Sequence, residues 1–213
     1  MLRNTATMLA LLLLVVTFFL IARSSSSANA SELDGGQHAM KLPWEKAHPE
    51  RKAWSNALMS DLSDHLASFG SARDIGSFCP NYARLSAADR VWVIATIAVA
   101  IAKFESNFNP RQHFGEPPPL GYDSIGLFQL SYEDGFKWCR MNRAAKSLED
   151  PVTNIACTVP EMARLVATDR VLAAGTNSRN TRGLARYWSV VRRGEKHHLG
   201  EIRAMATALP HCK

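Results

Sequence analysis

Glu105 is the residue in this chain best suited to proton transfer. It stands in FESNFNP, in the last turn of an apolar run that begins at Ala87, with Phe104 and Phe108 on either side. A carboxylate at the end of a buried helix is costly to ionise. Desolvation raises its pKa and leaves it protonated near neutral pH, the state a general acid needs. Further on, DSIGLFQLS brings Asp123, Ser124 and Gln129 close together in sequence. Asp123 offers a second carboxylate directly before the turn, and Gly126 allows close backbone approach. The Gln129 amide can bond the amide or hydroxyl groups of a sugar, or equally make a helix-capping or core hydrogen bond. Between these segments Glu116 reads as a solvated loop acid, so Asp123 is the better-placed partner. His113, a loop histidine with no fixed partner, reads as exposed.

The element that must position Glu105 is the helix before it. Ser86 precedes Ala87 and Asp89 follows three residues on, a capping-box-like start. Trp92, Ile94, Ala95, Ala98, Ile101 and Ala102 then recur at helical spacing, and almost every face is apolar, which predicts a helix inside the protein. Pro110 forbids its continuation. Between the two chemical segments, RQHFGEPPPLGYD carries three consecutive prolines and predicts an extended, polyproline-like loop. A helical pattern from Trp44 to about Phe69 places Trp54, Leu58, Leu62, His65 and Leu66 on one stripe, with Gly70 as its stop. Residues 71–85 read as a loop. Tyr132, Phe136 and Trp138 suggest an amphipathic helix, and further helices are expected over 151–168, 181–193 and 199–208, the first with Pro151 in its opening turn.

The 213 residues suffice for one domain with a sizeable core. Arg3, an apolar run from Met8 to Ala22, a serine cluster and Ala28-Asn29-Ala30 predict a cleaved secretory leader over residues 1–30. The alternative is an uncleaved membrane anchor, for which Arg23 speaks, and membrane contact is expected only in that case. Residues 31–43 read as a disordered lead-in, which leaves one domain over 44–213. The chain carries a formal charge of +6, reduced to +4 once Arg3 and Arg23 leave with the leader. Mild basicity suits a polyanionic partner or plain solubility, and no basic run with interleaved aromatics points to nucleic acid. Cys79, Cys139, Cys157 and Cys212 all follow the leader. An even count in an exported chain argues for two disulfides rather than free thiols, and the absence of CxxC or CxxH pairs argues against a metal site. Of the three connectivities, the short loop favours Cys139–Cys157, leaving Cys79–Cys212.

Four segments, in order and spanning about residues 88–192, resemble lysozyme-like bacterial lytic transglycosylases. FESNFNP is similar to the family's glutamate motif and SIGLFQLS to its GLMQ-type motif. LEDPVTNIACTVPEMARLV resembles its "DP..NI..G..YL..L" helix, with Asp150, Pro151, Asn154 and Ile155 in place. LARYWSV resembles its "YNAG" segment through Tyr187, with Trp188 and Ser189 replacing the asparagine and alanine. The proline-rich loop is longer than its counterpart in the family. The resemblance implies an all-α, lysozyme-like single domain with a cleft beside the buried central helix. It also implies cleavage of the β-1,4 bond between N-acetylmuramic acid and N-acetylglucosamine in peptidoglycan, outside the cytoplasm (periplasmic or secreted) and without a cofactor. Glu105 is then the catalytic acid, with Ser124, Gln129 and Tyr187 on the substrate and the Tyr187-Trp188 pair as an aromatic platform.

Three mechanistic readings follow. In a transglycosylase, the favoured one, Glu105 protonates the glycosidic oxygen and then takes a proton from the muramic acid C6 hydroxyl, closing a 1,6-anhydro ring. In an inverting, goose-type-like lysozyme a second carboxylate such as Asp123, roughly 6.5–9.5 Å from the acid, activates water. A non-catalytic wall-binding protein would keep the cleft alone. An accessory protein of a secretion or conjugation machine would share the enzyme's chemistry and differ only in its partners.

Overall fold

The computed structural model describes residues 40–213. The leader expected over 1–30, and most of the expected lead-in, lie outside the described residues. Where the lead-in is described, the expectation of disorder fails at Leu42. Its side chain is buried and its N–H donates to Glu45 Oε1 at 3.3 Å.

The described residues form a largely helical domain with five α-helices. These are α1 (Lys52–Asp64), α2 (Leu66–Gly70), α3 (Ala87–Ser106), α4 (Pro151–Asp169) and α5 (Leu199–Thr207). The single helix expected from Trp44 to Phe69 is instead a series of pieces. Two 3-10 turns, Pro43–Glu45 and Pro49–Arg51, precede α1 and α2, and His65 breaks the last two apart. Proline suits the first position of a turn, where its missing N–H costs nothing, and Pro43 and Pro49 each open a new turn.

Helix α3 is the centre. Ser86 caps it, accepting from the Asp89 N–H at 3.1 Å, and residues from Val91 to Ala102 are buried apart from the half-buried Trp92. Each isoleucine so buried (Ile94, Ile97, Ile101) contributes about 1.5–3 kcal/mol. Helix α1 packs on α3 and also on α4, while α5 packs on α3.

The remaining regular structure is two small antiparallel hairpins. Strand β1 (His113–Gly115) pairs with β2 (Asp123–Ile125), so that His113 faces Ile125 and Gly115 faces Asp123. An extended loop was expected here. The prolines do not prevent the hairpin because Pro117, Pro118 and Pro119 fall in its connection, where no ladder N–H is needed. The Glu116 N–H continues the ladder to Tyr122 O at 2.8 Å. Strand β3 (Ala173–Ala174) pairs with β4 (Arg182–Gly183).

Two expected helices do not form. Over 132–138 there is one 3-10 turn, Tyr132–Asp134, ended by Gly135 at φ 59°. Over 181–193 the chain makes β4 and then the turns Leu184–Arg186 and Ser189–Val191. Gly183 decides the latter: it sits at φ 61°, and a Cβ there would lie 2.3 Å from Val171 O. The expected helices over 151–168 and 199–208 appear to within a residue. Both expected disulfides are present, Cys139–Cys157 and Cys79–Cys212. No helix among the described residues is long and apolar enough to cross a membrane.

Candidate functional site

Glu105 occupies the last turn of α3, where the helix stops abruptly. Asn107 and Phe108 both adopt left-handed backbone conformations, φ 50° and 62°. Asparagine tolerates this conformation; for phenylalanine it is strained, at a cost of order 1 kcal/mol, and persists because the surroundings impose it. The Phe108 ring packs edge-on against Trp44 at 6.1 Å, and Phe104 stacks flat on His198 at 3.9 Å. Both aromatic residues on either side of Glu105 in sequence are thus held in packed pairs. Burial, first, and the neighbouring Glu116 charge, second, raise its pKa to about 7, against a smaller downward pull from Arg192. Glu105 is therefore half protonated near neutral pH.

Glu116 is brought toward it by the β1–β2 hairpin. Ser124 Oγ donates to Glu116 Oε1 at 2.6 Å, which orients the second carboxylate from the opposite strand. Asp123, preferred over Glu116 on sequence grounds, is exposed on β2. The expected loop concealed this. A hairpin register that sets Gly115 against Asp123 and Phe114 against Ser124 brings Ser124, not Asp123, into contact with Glu116.

The turn after β2 is built by hydrogen bonds that use up several residues expected at the substrate. Gly126, at φ 81°, donates its N–H to Gln112 O at 2.8 Å. Gln129 Nε2 donates to Gly126 O at 2.9 Å and Gln112 O at 3.2 Å, so its amide closes the turn. Ser106 Oγ, next to Glu105, donates to Leu127 O at 2.9 Å and ties the helix end to the turn. From α4, Asn154 accepts from the Phe128 N–H at 3.0 Å and donates to Ile125 O and Leu148 O at 3.1 and 3.0 Å. Asn154, part of a recognised motif but assigned no role, is the anchor of the turn.

Trp188 is a correction. Its ring is 1% exposed and Nε1 donates to Phe128 O at 3.0 Å, so it braces the turn and offers no face to a ligand. Tyr187 is half-buried, and its hydroxyl donates to Asp134 Oδ2. Burial and the Asp134 charge push the Tyr187 hydroxyl far up, so it stays protonated and acts as a donor. Burial likewise pushes the Asp134 carboxyl up. Tyr122, on the hairpin, is raised by burial, by Asp134 and by Glu116. Glu105, Glu116, Tyr122, Asp134, Tyr187 and Arg192 thus form one electrostatically connected group. Of these, Tyr122, Asp134 and Arg192 carried no signal in the sequence, since no motif or periodicity singles them out. Beside the group, Trp138 is 42% exposed and stacks on Phe136 at 5.3 Å, and Phe136 in turn lies 6.2 Å from Tyr187.

No protein-family model and no curated protein sequence matches the chain. Solved structures do. The wild-type form 2 structure of the protein Bd0314 DslA superposes with a TM-score of 0.69 at 33% identity, over 82% of this chain and 98% of that one. Two structures of DslA variants, each with one glutamate replaced by glutamine, match at 31% and 32% identity with TM-scores of 0.69 and 0.68.

Proposed function

The chain belongs to the family of DslA, and from that premise we propose that it cleaves β-1,4 glycosidic bonds in the glycan strands of peptidoglycan, with Glu105 as general acid. The observation that carries the reading is the Glu105 carboxyl group, in the last turn of a buried helix, with its pKa raised to about 7 chiefly by burial. Such a group can give a proton to a leaving oxygen at neutral pH. The four sequence motifs that resemble lysozyme-like transglycosylases support the substrate class and a lysozyme-like architecture. The two disulfides fit an oxidising compartment, and with the leader expected from the sequence they support action in the periplasm or outside the cell.

Glu116 favours hydrolysis over the transglycosylase route. Its charge acts on Glu105, and Ser124 fixes its orientation. The two glutamates replaced in the DslA variants lie eleven positions apart in that protein, the separation of Glu105 and Glu116 here. In this scheme Glu105 protonates the glycosidic oxygen while Glu116 takes a proton from a water on the opposite face of the sugar. The Trp138 ring offers an exposed face for a sugar nearby. The transglycosylase reading rests on the sequence motifs; in it Glu116 would serve only to raise the Glu105 pKa.

Mass spectrometry of the products released from purified sacculi tests the assignment. Fragments ending in reducing muramic acid are expected. Anhydro ends would exclude water as the nucleophile and restore the transglycosylase route, and an absence of any glycan product would leave a binding protein.

A further inference from the structure

The chain between β3 and β4 and the turn that follows line a half-open cavity of about 280 Å³. Its lining is Ser178, Arg179, Asn180, Thr181, Arg182 and Arg186, and none of these belongs to the Glu105 group. All six side chains can donate hydrogen bonds and none is acidic. At roughly 10–15 Å³ of such space per water molecule, the cavity is large enough to admit a small oxyanion.

Two features show that the site is organised in advance. Asp169, at the end of α4, fixes Arg186 through both Nε and Nη2, the latter at 2.8 Å, and also accepts from the Gly183 N–H at 2.7 Å. Arg186, first among its partners, holds the Asp169 carboxyl below its usual range, so this brace stays ionised. Arg182 Nη1 approaches the same carboxylate at 3.7 Å. The loop is then laced to itself. Asn180 Oδ1 accepts from the Thr176 and Asn177 N–H groups at 2.8 and 3.1 Å, and Asn177 Oδ1 accepts from the Arg179 N–H at 3.0 Å. Gly175, at φ 96°, packs where a Cβ would lie 2.3 Å from Asn180 O. Asp169 offsets one of the three guanidinium charges, which leaves two positive charges facing a concave, polar space. That geometry focuses field on an anion, and guanidinium forks match an anion with two or more acceptor oxygens.

We propose that this cavity is an oxyanion-binding site, taking a phosphate or a carboxylate group independently of the Glu105 site. Its chemistry is the same whether the group belongs to a phosphate-bearing polymer or to a peptide carboxylate, and on an exported protein it would hold the molecule to a polyanionic surface.

The test is titration of the isotopically labelled protein with inorganic phosphate and, separately, with acetate, in chloride buffer, following backbone amides and Arg Nε–H signals by NMR. Saturable shifts confined to residues 176–186 are expected for at least one anion, with phosphate the stronger if a phosphate group is the natural ligand and acetate if a carboxylate is. Glu105→Gln should not change them. Arg179→Gln and Arg182→Gln should each weaken binding about tenfold, the effect of one charge-assisted hydrogen bond. The Asp169–Arg186 brace is left intact in both variants. Shifts absent for both anions, or spread over the whole surface without saturation, would overturn the proposal, as would undiminished binding in the double variant. If the variants unfold, the location of the wild-type shifts decides alone.

Discussion

At the scale of single residues, the Glu105 carboxyl couples function to stability. A general acid works only while protonated, so glycan cleavage should fall as the pH rises through about 7. Folding responds with a definite sign. The unfolded carboxyl titrates near 4.5 and the folded one near 7, so between these values the native state holds the extra proton and loses stability as it is removed. Glu105→Gln should therefore abolish cleavage while raising stability above pH 7, by up to about 3 kcal/mol, and leave it unchanged near pH 4. Thermal melts of both proteins across that range check it. The second residue pair separates sequence from structure. Glu116→Gln should lower the rate about 10²–10⁴-fold if Glu116 is the base, and should move the alkaline limb of the pH profile downward because a like charge is gone. Asp123→Asn should change the rate little; a loss as large as that of Glu116→Gln would return the second-carboxylate role to Asp123.

At the scale of elements, the motif that reads as a helix in sequence acts as an anchor in space. Asp150 caps α4 by accepting from the Thr153 N–H at 2.7 Å, and Pro151 takes the first helical position. That start aims Asn154 at the turn after β2, where it satisfies three backbone groups in a fully buried place. Asn154→Ala should cost about 2–4 kcal/mol, since it orphans the buried Phe128 N–H and leaves Leu148 O without a partner, while Ile125 O keeps the Leu130 N–H. Gly126→Ala should be no milder, because its Cβ would meet Leu148 O at 2.3 Å at a backbone angle unfavourable to alanine. Denaturant unfolding measures both, and a loss below about 1 kcal/mol for Asn154→Ala would mean that the turn stands without it. Helices α3 and α4 were legible because an apolar period and a cap agreed over a long stretch. The hairpin was not legible. Three prolines dominate its composition, and nothing local reveals that the strands lie to either side of them. Gly183 and Gly135 broke two expected helices for a related reason, since tertiary close approach at a positive φ leaves little trace in periodicity.

At the scale of the whole molecule, the number of disulfides was legible because cysteine arithmetic needs no conformation, whereas their pairing rested only on the short loop between Cys139 and Cys157. Their spans differ greatly, at 133 and 18 residues. In the chain-entropy account the longer closure stabilises by about 4–5 kcal/mol and the shorter by about 3. Serine replacement of both Cys79 and Cys212 should accordingly lower stability more than replacement of Cys139 and Cys157, as read from urea midpoints. The protein unfolded without reductant should show no reactive thiol. Two or more would contradict the pairing. What the sequence hid at this scale was the division of the surface: Arg179 precedes the 181–193 segment read as helix while Arg182 and Arg186 fall inside it, and only the β3–β4 hairpin gathers them around one cavity.

The left-handed pair Asn107–Phe108 has a consequence for how such a molecule can diversify. It pins the acid to one point: the helix behind it is sealed in the core, and the chain ahead turns away at once. A change in what the proposed site accepts cannot come from sliding Glu105. It would come from the β1–β2 hairpin, where Pro117 to Gly121 lie exposed and can lengthen or shorten without disturbing a buried contact. The fixed half of the site would then be inherited unchanged, and the hairpin tip would be where lineages differ.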